Sequence, residues 1–316
     1  MSLAFFRSAI RLCAAFLFGA TGETITEKSG HLNLGTPGVM CMGAVGGVIG
    51  VSTYCNSVGN ANNVFMIIFM GLLFCLLFGA IAGVIYSFLT VSLRANQNIT
   101  GLALTTFGIG FSKFYIEELD RSFLNAASAA FKNLFTFYPK LGWFGELFLS
   151  YGFMVYLSII IAVLTALILR KTKVGLKLRS VGENPATADA CGINVARYRY
   201  LATIIGCSIS ALGGMFYIMD YLSGNWEYTI DAIGWLAVAL VIFTVWRTDL
   251  AILGSIIFSG LFIASSYLNV PLNVKEIFKM LPYVVTIIIL IVTSLFGGKL
   301  VQPPASLGIN YFREDR

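Results

Sequence analysis

The stretch VFMIIFMGLLFCLLFGAIAGVIYSFLT, residues Val64–Thr90, decides the fold class of this chain. A helix needs roughly 20 apolar residues to cross the hydrocarbon core of a bilayer, and no charged residue occurs anywhere between Leu32 and Leu93. The 316 residues are 58% hydrophobic and 11% charged, whereas soluble domains carry about 25% charged residues. The sequence therefore predicts an all-α polytopic membrane protein, with residues 1–316 forming a single transmembrane domain.

Apolar segments on both sides of this stretch predict about eight to ten transmembrane helices. The clear candidates are 64–90, 147–169, 201–219, 250–270 and 281–298, and 232–246 is shorter but strongly apolar, which makes six strong candidates. The weaker ones are 4–20, 39–53 and 99–112. Two segments, 21–38 and 95–112, are polar and interrupted by glycine, so we expect discontinuous or re-entrant structure there. Irregular backbone at membrane depth requires surrounding protein or a water-filled cavity.

The distribution of basic residues predicts the orientation of the chain. Segment 170–199 has seven Lys and Arg against two acidic residues, which is typical of a cytoplasmic loop. Four candidate spans follow it, so the C-terminal tail with Lys299, Arg313 and Arg316 is also expected to be cytoplasmic. Segment 113–146 balances four basic with four acidic residues and is rich in aromatics, as expected of an extracellular amphipathic segment at the interface.

The sequence leaves the orientation of the N-terminus open. Nine full crossings would place it outside, whereas Arg7 and Arg11 favour the inside. One segment before residue 100 that does not cross the membrane would remove the conflict, and 21–38 is the expected place.

Three GxxxG pairs, Gly43/Gly47, Gly46/Gly50 and Gly79/Gly83, suggest close helix packing, although glycine is also simply common in membrane helices.

A short helix with both ends defined by sequence is predicted inside the basic loop, over Pro185–Cys191. Asn184 can accept hydrogen bonds from free N–H groups of the first turn, and Pro185 suits the first helical position. Gly192 suits the left-handed residue that follows a helix. Such a helix between membrane spans is typical of a docking site for a cytoplasmic partner, and the alternative is an ordinary polar loop.

The chain shows no pattern of catalytic or metal-binding residues. It has one histidine, its six cysteines are scattered, and Gly297-Gly298-Lys299-Leu300 lacks the length and hydroxyl of a phosphate-binding loop. We therefore expect no enzyme activity, no metal, no cofactor and no nucleic-acid partner. The cores of the six strongest spans contain no acidic residue, which argues against a gradient-driven carrier, although Na⁺ bound by backbone carbonyls remains open.

Two polar stretches, Glu27–Gly35 and Arg94–Thr106, are candidates for lining a transport path. Discontinuous helices often form substrate sites in transporters, and neutral donors and acceptors suit an uncharged polar solute such as a nucleoside or a sugar. Alternatively, Asn96–Asn98 caps a helix, and Glu27 with Lys28 forms only a local ion pair. The candidate path residues are Glu27, His31, Asn33, Asn96, Gln97, Asn98, Thr100 and Thr105.

The segment GLKLRSVGENPATADACGI, residues 175–193, resembles the coupling motif of permease subunits in bacterial ABC importers for branched-chain amino acids, simple sugars and nucleosides. Glu27-Lys28-Ser29-Gly30 with Asn33-Leu34-Gly35, and Arg94-Ala95-Asn96-Gln97 with Thr100–Leu104, are similar to the nucleoside (guanosine-type) branch. Residues 234–262 resemble the late pair of spans. The resemblance implies ATPase-coupling roles for Arg179, Gly182, Glu183, Asn184, Pro185, Ala188, Asp189 and Gly192.

This resemblance implies a non-catalytic permease subunit in the bacterial cytoplasmic membrane, forming half of a translocation path for a nucleoside. The implied partners are a longer permease subunit, a cytoplasmic ATPase with two nucleotide-binding halves that binds the ATP and Mg²⁺, and a substrate-binding lipoprotein. The chain departs from the family pattern at Thr36-Pro37-Gly38, where an acidic residue is usual, and near Asp249, where a proline is usual. A sugar or branched-chain amino acid permease, a stand-alone secondary transporter and a membrane scaffold remain alternatives.

Overall fold

The computed structural model describes residues 3–132, 140, 142–267, 277–278, 280–296 and 302–312, and this part of the chain contains thirteen α-helices. The first seven are α1 Leu3–Glu27, α2 Thr36–Val58, α3 Val64–Ser87, α4 Gln97–Glu118, α5 Leu124–Ser128, α6 Gly142–Phe148 and α7 Phe153–Lys171. The others are α8 Lys173–Glu183, α9 Pro185–Ala190, α10 Val195–Phe216, α11 Ile230–Phe243, α12 Thr248–Tyr267 and α13 Leu281–Phe296.

Six of these helices are long and apolar enough to cross a membrane, namely α1, α2, α3, α4, α7 and α10. Turns of π-helix, Phe88–Ser92 and Tyr217–Tyr221, extend α3 and α10. Three shorter apolar helices, α11, α12 and α13, bring the described apolar helices to nine. The predicted all-α polytopic architecture is confirmed.

Asparagine side chains begin four of the helices. The side-chain oxygens of Asn63, Asn96, Asn184 and Asn194 accept hydrogen bonds from backbone N–H groups three residues later, over 2.9 to 3.2 Å. Each such cap stabilises its helix by about 1 kcal/mol. These asparagines therefore mark the starts of α3, α4, α9 and α10 in the sequence.

Helix α10 lies in the centre of the described helices and packs against α1, α2 and α3. Glycines let the backbones approach: a Cβ at Gly43 or Gly79 would lie 2.5 to 2.9 Å from backbone atoms of α10. Gly46 and Gly50 meet α3 in the same way, with the backbone oxygen of Phe74 2.9 Å from a Cβ at Gly46. The close packing predicted from the three GxxxG pairs is confirmed.

The break predicted within 21–38 lies between α1 and α2, at residues 28–35, while 21–27 continue α1. The backbone of this loop follows the first turns of α4, since the backbone N–H of Leu32 donates to the Gln97 side chain over 2.9 Å. Segment 95–112 was expected to be discontinuous as well. It forms instead a short turn followed by one uninterrupted helix from Gln97 to Glu118. Gly101 and Gly108 of this helix provide close contacts to the backbone of residues 34–35 and 38 rather than a break.

The two ends of α10 define two faces of the molecule. At its N-terminal end lie α8, α9 and the tail 302–312, and we call this the α8–α9 face. At the opposite end, Arg11 forms an ion pair with Asp220 over 2.8 Å, so the start of α1 lies on the opposite face. The orientation of the N-terminus, which the sequence left open, is therefore opposite to the basic loop, as nine full crossings would place it. Pairing with the buried Asp220 accounts for the position of Arg11 there.

Segment 113–146 was expected to lie outside the spans over its whole length. Helix α4 continues to Glu118, so only the part of the segment after Glu118 lies beyond the spans. Segment 170–199 is not an open loop: it contains the end of α7, all of α8 and α9, and the start of α10. Predictions that involve residues 133–139, 268–270, 297–299, Arg313 and Arg316 fall outside the described residues.

Candidate functional site

Helices α8 and α9 form a compact pair on the α8–α9 face. The Thr172 hydroxyl accepts a hydrogen bond from the Gly175 N–H over 3.1 Å at the start of α8. Asn184 caps α9 over 3.0 Å, Pro185 occupies its first turn, and Gly192 follows its end with φ at +79°. The predicted short helix is confirmed in position and in both ends, and it ends one residue earlier than expected, at Ala190.

The residues assigned to ATPase coupling divide into an exposed and a buried set. The exposed or half-exposed members are Arg179, Glu183, Asn184, Pro185, Asp189 and Gly192. The buried members are Gly182 and Ala188. Ala188 packs with Val181 and Val195, and so fixes α9 against α8 and α10. Only the exposed set is available to a partner in this arrangement.

Gly182 is the point where α8 meets the loop after α1. A Cβ there would overlap the backbone oxygen of Lys28 and lie 3.2 Å from the backbone nitrogen of Gly30. Both neighbours are backbone atoms, which cannot rotate away. Glycine is therefore required at this contact, and a displacement of α8 acts directly on residues 28–30.

Loop 28–35 is held by buried side chains. Glu23, 1% exposed, accepts hydrogen bonds from the Asn33 N–H over 3.3 Å and from the Thr36 hydroxyl. Asn33 in turn accepts from the Gly35 N–H over 2.9 Å. Glu27, one turn further along α1, accepts a hydrogen bond from the indole N–H of Trp246. The bonds from the Asn33 and Gly35 N–H groups replace helical hydrogen bonds that the irregular backbone lacks.

Trp246 also determines the break between α11 and α12. Val245 and Trp246 have φ of +54° and +53°, a left-handed conformation that costs about 1–3 kcal/mol per non-glycine residue. Burial of Trp246 and its bond to Glu27 stabilise this turn. The turn then leads to Asp249, which pairs with Arg170 over 2.7 Å at the end of α7.

His31 lies in the same loop and is fully buried. Its Nδ1 is 3.1 Å from the Thr203 hydroxyl, its ring meets Tyr86 edge to face, and Nε2 has no hydrogen-bond partner. Burial lowers the pKa of His31 well below its usual value, and the charge of Arg199 lowers it further. The imidazole is therefore neutral at physiological pH.

The start of α4 contributes the second polar group of side chains. The buried Gln97 accepts from the Leu32 N–H, and Thr105 donates to the backbone oxygen of Leu34 over 2.7 Å. Thr100 donates to the backbone oxygen of Asn96 over 2.8 Å. Asn96 caps α4, as in the alternative interpretation of this stretch, and Asn98 is exposed.

The structure thus brings five candidate path residues to loop 28–35 and leaves the others at the start of α4. Those at the loop are Glu27, His31, Asn33, Gln97 and Thr105. Asn96, Asn98 and Thr100 bond within α4 or face outward. Three residues of this site, Glu23, Thr203 and Trp246, were not predicted from the sequence. The spacing of Glu23 and Glu27 on one helix face could have indicated Glu23.

The two buried carboxylates weaken one argument from sequence. The cores of the six strongest spans lack acidic residues, but the π-turn that extends α10 contains the buried Asp220. Helix α1, which was counted among the weak candidates, also carries Glu23 and Glu27 inside the protein. Their hydrogen bonds fix the backbone and the Trp246 turn, which gives them a structural purpose.

Comparison with known proteins links this arrangement to transport. The family model described as branched-chain amino acid transport system / permease component matches residues 6–290. The chain is 31% identical to the nucleoside ABC transporter permease protein NupC of Lactococcus lactis, covering 94% of this chain and 93% of that protein. It is 29% identical to the guanosine ABC transporter permease protein NupQ of Bacillus subtilis, covering 96% and 94%. TsgC13 of Haloferax volcanii, named for glucose transport, is 29% identical over 79% of this chain and 73% of that protein.

Proposed function

Because the chain belongs to the family of branched-chain amino acid transport system permease components, we propose that it is one transmembrane subunit of an ATP-driven importer and forms half of a translocation path for a nucleoside. The observation that carries the substrate class is similarity over nearly the whole chain to two permeases named for nucleosides. A sugar is the second candidate substrate, which the similarity to TsgC13 supports.

The exposed surface of α8 and α9 is the proposed docking site for a cytoplasmic ATPase. A capped helix of six residues, α9, is presented beside the basic residues of α8. A cleft of about 460 Å³ adjoins it, with Arg94, Asp189 and Arg199 among its lining residues. Such a cleft offers a partner both shape and charge. The partner would bind the ATP and Mg²⁺ and would perform the hydrolysis, so this subunit is non-catalytic.

The proposed orientation places the α8–α9 face in the cytoplasm of a bacterial cell. Support comes from the seven basic residues of segment 170–199 and from the tail, which lies on the same face. The proposed assembly also contains a second, longer permease subunit and a substrate-binding lipoprotein. The candidate path residues at loop 28–35 would lie near the centre of the permease pair.

A cysteine-labelling experiment tests the orientation. Lys173→Cys lies on the α8–α9 face and Asn62→Cys lies on the opposite face, and both side chains are exposed. In a background without the six native cysteines, a membrane-impermeant thiol reagent applied outside cells should label Asn62→Cys only. Labelling of Lys173→Cys in intact cells would overturn the orientation.

Reconstitution tests the function. The complete complex in proteoliposomes should take up a radiolabelled nucleoside only when ATP is available to the ATPase, and unlabelled nucleosides should compete better than glucose or leucine. Stronger competition by glucose would assign the complex to sugars. A stand-alone carrier is the candidate from another class, and the buried carboxylates of α1 favour it, because intramembrane acidic residues often serve ion-coupled transport. Uptake by this subunit alone, driven by a Na⁺ or proton gradient, would establish that alternative.

A further inference from the structure

The C-terminal tail, residues 302–312, contacts both coupling helices. The backbone N–H and the hydroxyl of Ser306 both donate to the backbone oxygen of Gly182, over 3.0 and 2.5 Å. The Ala305 N–H donates to Glu183 over 3.3 Å, and the Tyr311 hydroxyl donates to Asp189 over 2.9 Å. The tail is therefore bonded to the end of α8 and to the last turn of α9.

The same tail contacts the loop after α1. The Gly308 N–H donates to the backbone oxygen of Gly30 over 3.2 Å. Arg199, which is 3% exposed and lies at the start of α10, donates to the backbone oxygen of Ile309 over 3.2 Å. Ser306 is 6% exposed, so the central part of the tail is embedded among these elements.

Asn310 extends the contacts to the start of α4. Its amide group donates to the backbone oxygens of Arg94 and Ala95, over 2.7 and 3.2 Å. Its side-chain oxygen accepts a hydrogen bond from Gln97 over 3.1 Å, and Gln97 also holds Leu32 of the loop. One asparagine thus joins the tail, the turn before α4 and the buried polar loop.

We propose that residues 302–312 form a transmission strap that makes α8, α9, loop 28–35 and the start of α4 move as one unit, with Ser306 and Asn310 as its positioning residues. This inference rests on the proposed function, because it concerns how motion of the ATPase reaches the path. Gly182 alone gives one point of contact between α8 and the loop. The strap adds hydrogen bonds on both sides of that point. Motion of α8 away from the loop, as well as motion toward it, is therefore transmitted to loop 28–35.

The chemistry of the strap suits this task. Most of its bonds go to backbone oxygens of Gly30, Arg94, Ala95 and Gly182, which move with their segments rather than with flexible side chains. A group of hydrogen bonds that stabilises one of two conformations of an element can make an event at one site change the affinity at a distant site by about 5- to 150-fold. The effect of breaking the hydrogen bonds of the strap should therefore appear in coupling more than in folding. The contacts of α10 with α1, α2 and α3 do not involve the tail, and Leu307 and Tyr311 of the tail keep their apolar packing.

The experiment uses the double variant Ser306→Ala with Asn310→Leu in the complete reconstituted complex. Leucine is close in size to asparagine but makes no hydrogen bonds. We expect ATP hydrolysis to continue, nucleoside uptake per ATP to fall at least about fivefold, and copurification of the ATPase to stay at the wild-type level. The thermal midpoint should fall by no more than about 4 °C, since Asn310→Leu removes one hydrogen-bond partner of the buried Gln97. Ser306→Thr, which keeps the hydroxyl, should retain uptake per ATP.

The matched control is Ile309→Ala in the same tail. The Ile309 side chain is 59% exposed, and the change leaves its backbone oxygen in place for Arg199. Unchanged uptake per ATP in the double variant would overturn the strap. A fall accompanied by loss of the ATPase, or by a thermal midpoint lowered by more than about 4 °C, would also overturn it, since the tail would then be only a structural element. If the wild-type complex shows no ATP-driven uptake, the proposed function itself fails, and the strap fails with it.

Discussion

Replacing Gly182 with alanine should separate ATP hydrolysis from uptake, because no side chain fits between α8 and the loop after α1. The new Cβ would overlap the backbone oxygen of Lys28 and lie 3.2 Å from the backbone nitrogen of Gly30. Insertion of one carbon into a packed contact costs about 1–3 kcal/mol. If this contact relaxes by moving α8 away from the loop, an energy of this size would lower the coupling between ATP hydrolysis and uptake by roughly 5- to 150-fold.

The assay is nucleoside uptake per ATP hydrolysed, together with the thermal midpoint of the complex. Gly110→Ala in α4 is the control, since a Cβ there meets nothing within 4 Å and the backbone is helical. Gly110→Ala should leave both measurements unchanged or raise stability slightly, because alanine favours helix over glycine. If Gly182→Ala matches Gly110→Ala in both, the close contact does not limit coupling and the reasoning is wrong.

Three further variants test single interactions. Asn184→Ala should cost about 1 kcal/mol in α9 through the lost cap and lower the stimulation of ATPase activity by the permease. Trp246→Phe should cost about 1–3 kcal/mol, because it leaves the buried Glu27 without its donor, and should lower the thermal midpoint. The pKa of His31 is lowered in the folded protein by burial and by Arg199, so its contribution to stability is complete above the usual value of 6.5 and is lost as pH falls below it, by at most about 1.4 kcal/mol per pH unit.

Each of these variants has a matched comparison. Trp143→Phe alters a tryptophan that is 67% exposed and should leave the thermal midpoint unchanged. Asn98→Ala lies on the same face as α9 and removes no cap, so it should preserve ATPase stimulation at saturating nucleoside, where a change in KM has no effect. His31→Gln should flatten the decline of the thermal midpoint between pH 7.5 and 5.5, since His31 is the only histidine. An equal decline in wild type and variant would assign the pH dependence to other groups.

The features that sequence predicted well are those set by local rules. The length of the apolar segments predicted the spans. Both ends of α9 could be predicted from Asn184, Pro185 and Gly192, because capping depends on residues within one turn. The break after α1 was also predicted, since Gly30 and Gly35 accompany polar residues in an apolar context. Its limits were too wide, because Thr21–Glu27 satisfy their backbone within a helix that other helices surround.

The features that sequence did not predict depend on contacts between distant segments. Trp246 meets Glu27 across 219 positions, and Ser306 meets Gly182 across 124. Arg11 suggested a basic terminus on the cytoplasmic side, but its partner Asp220 lies 209 positions away. No local pattern identifies such partners, so the sequence could indicate that polar groups are present and could not say which would be paired.

The distinction between paired and unpaired polar groups separates structural from path-lining roles among the candidate residues. Asn33 is 1% exposed, and its side chain accepts a hydrogen bond from the Gly35 N–H and donates one to Cys207. Asn33→Ala therefore leaves these buried groups unpaired and should lower the thermal midpoint. Asn98 is exposed, so the fold does not require its side chain. If it lines the path as predicted, Asn98→Ala should raise the KM for nucleoside uptake in the complete complex and leave the thermal midpoint unchanged. An unchanged KM would remove Asn98 from the path and leave the groups around loop 28–35 as its remaining candidates.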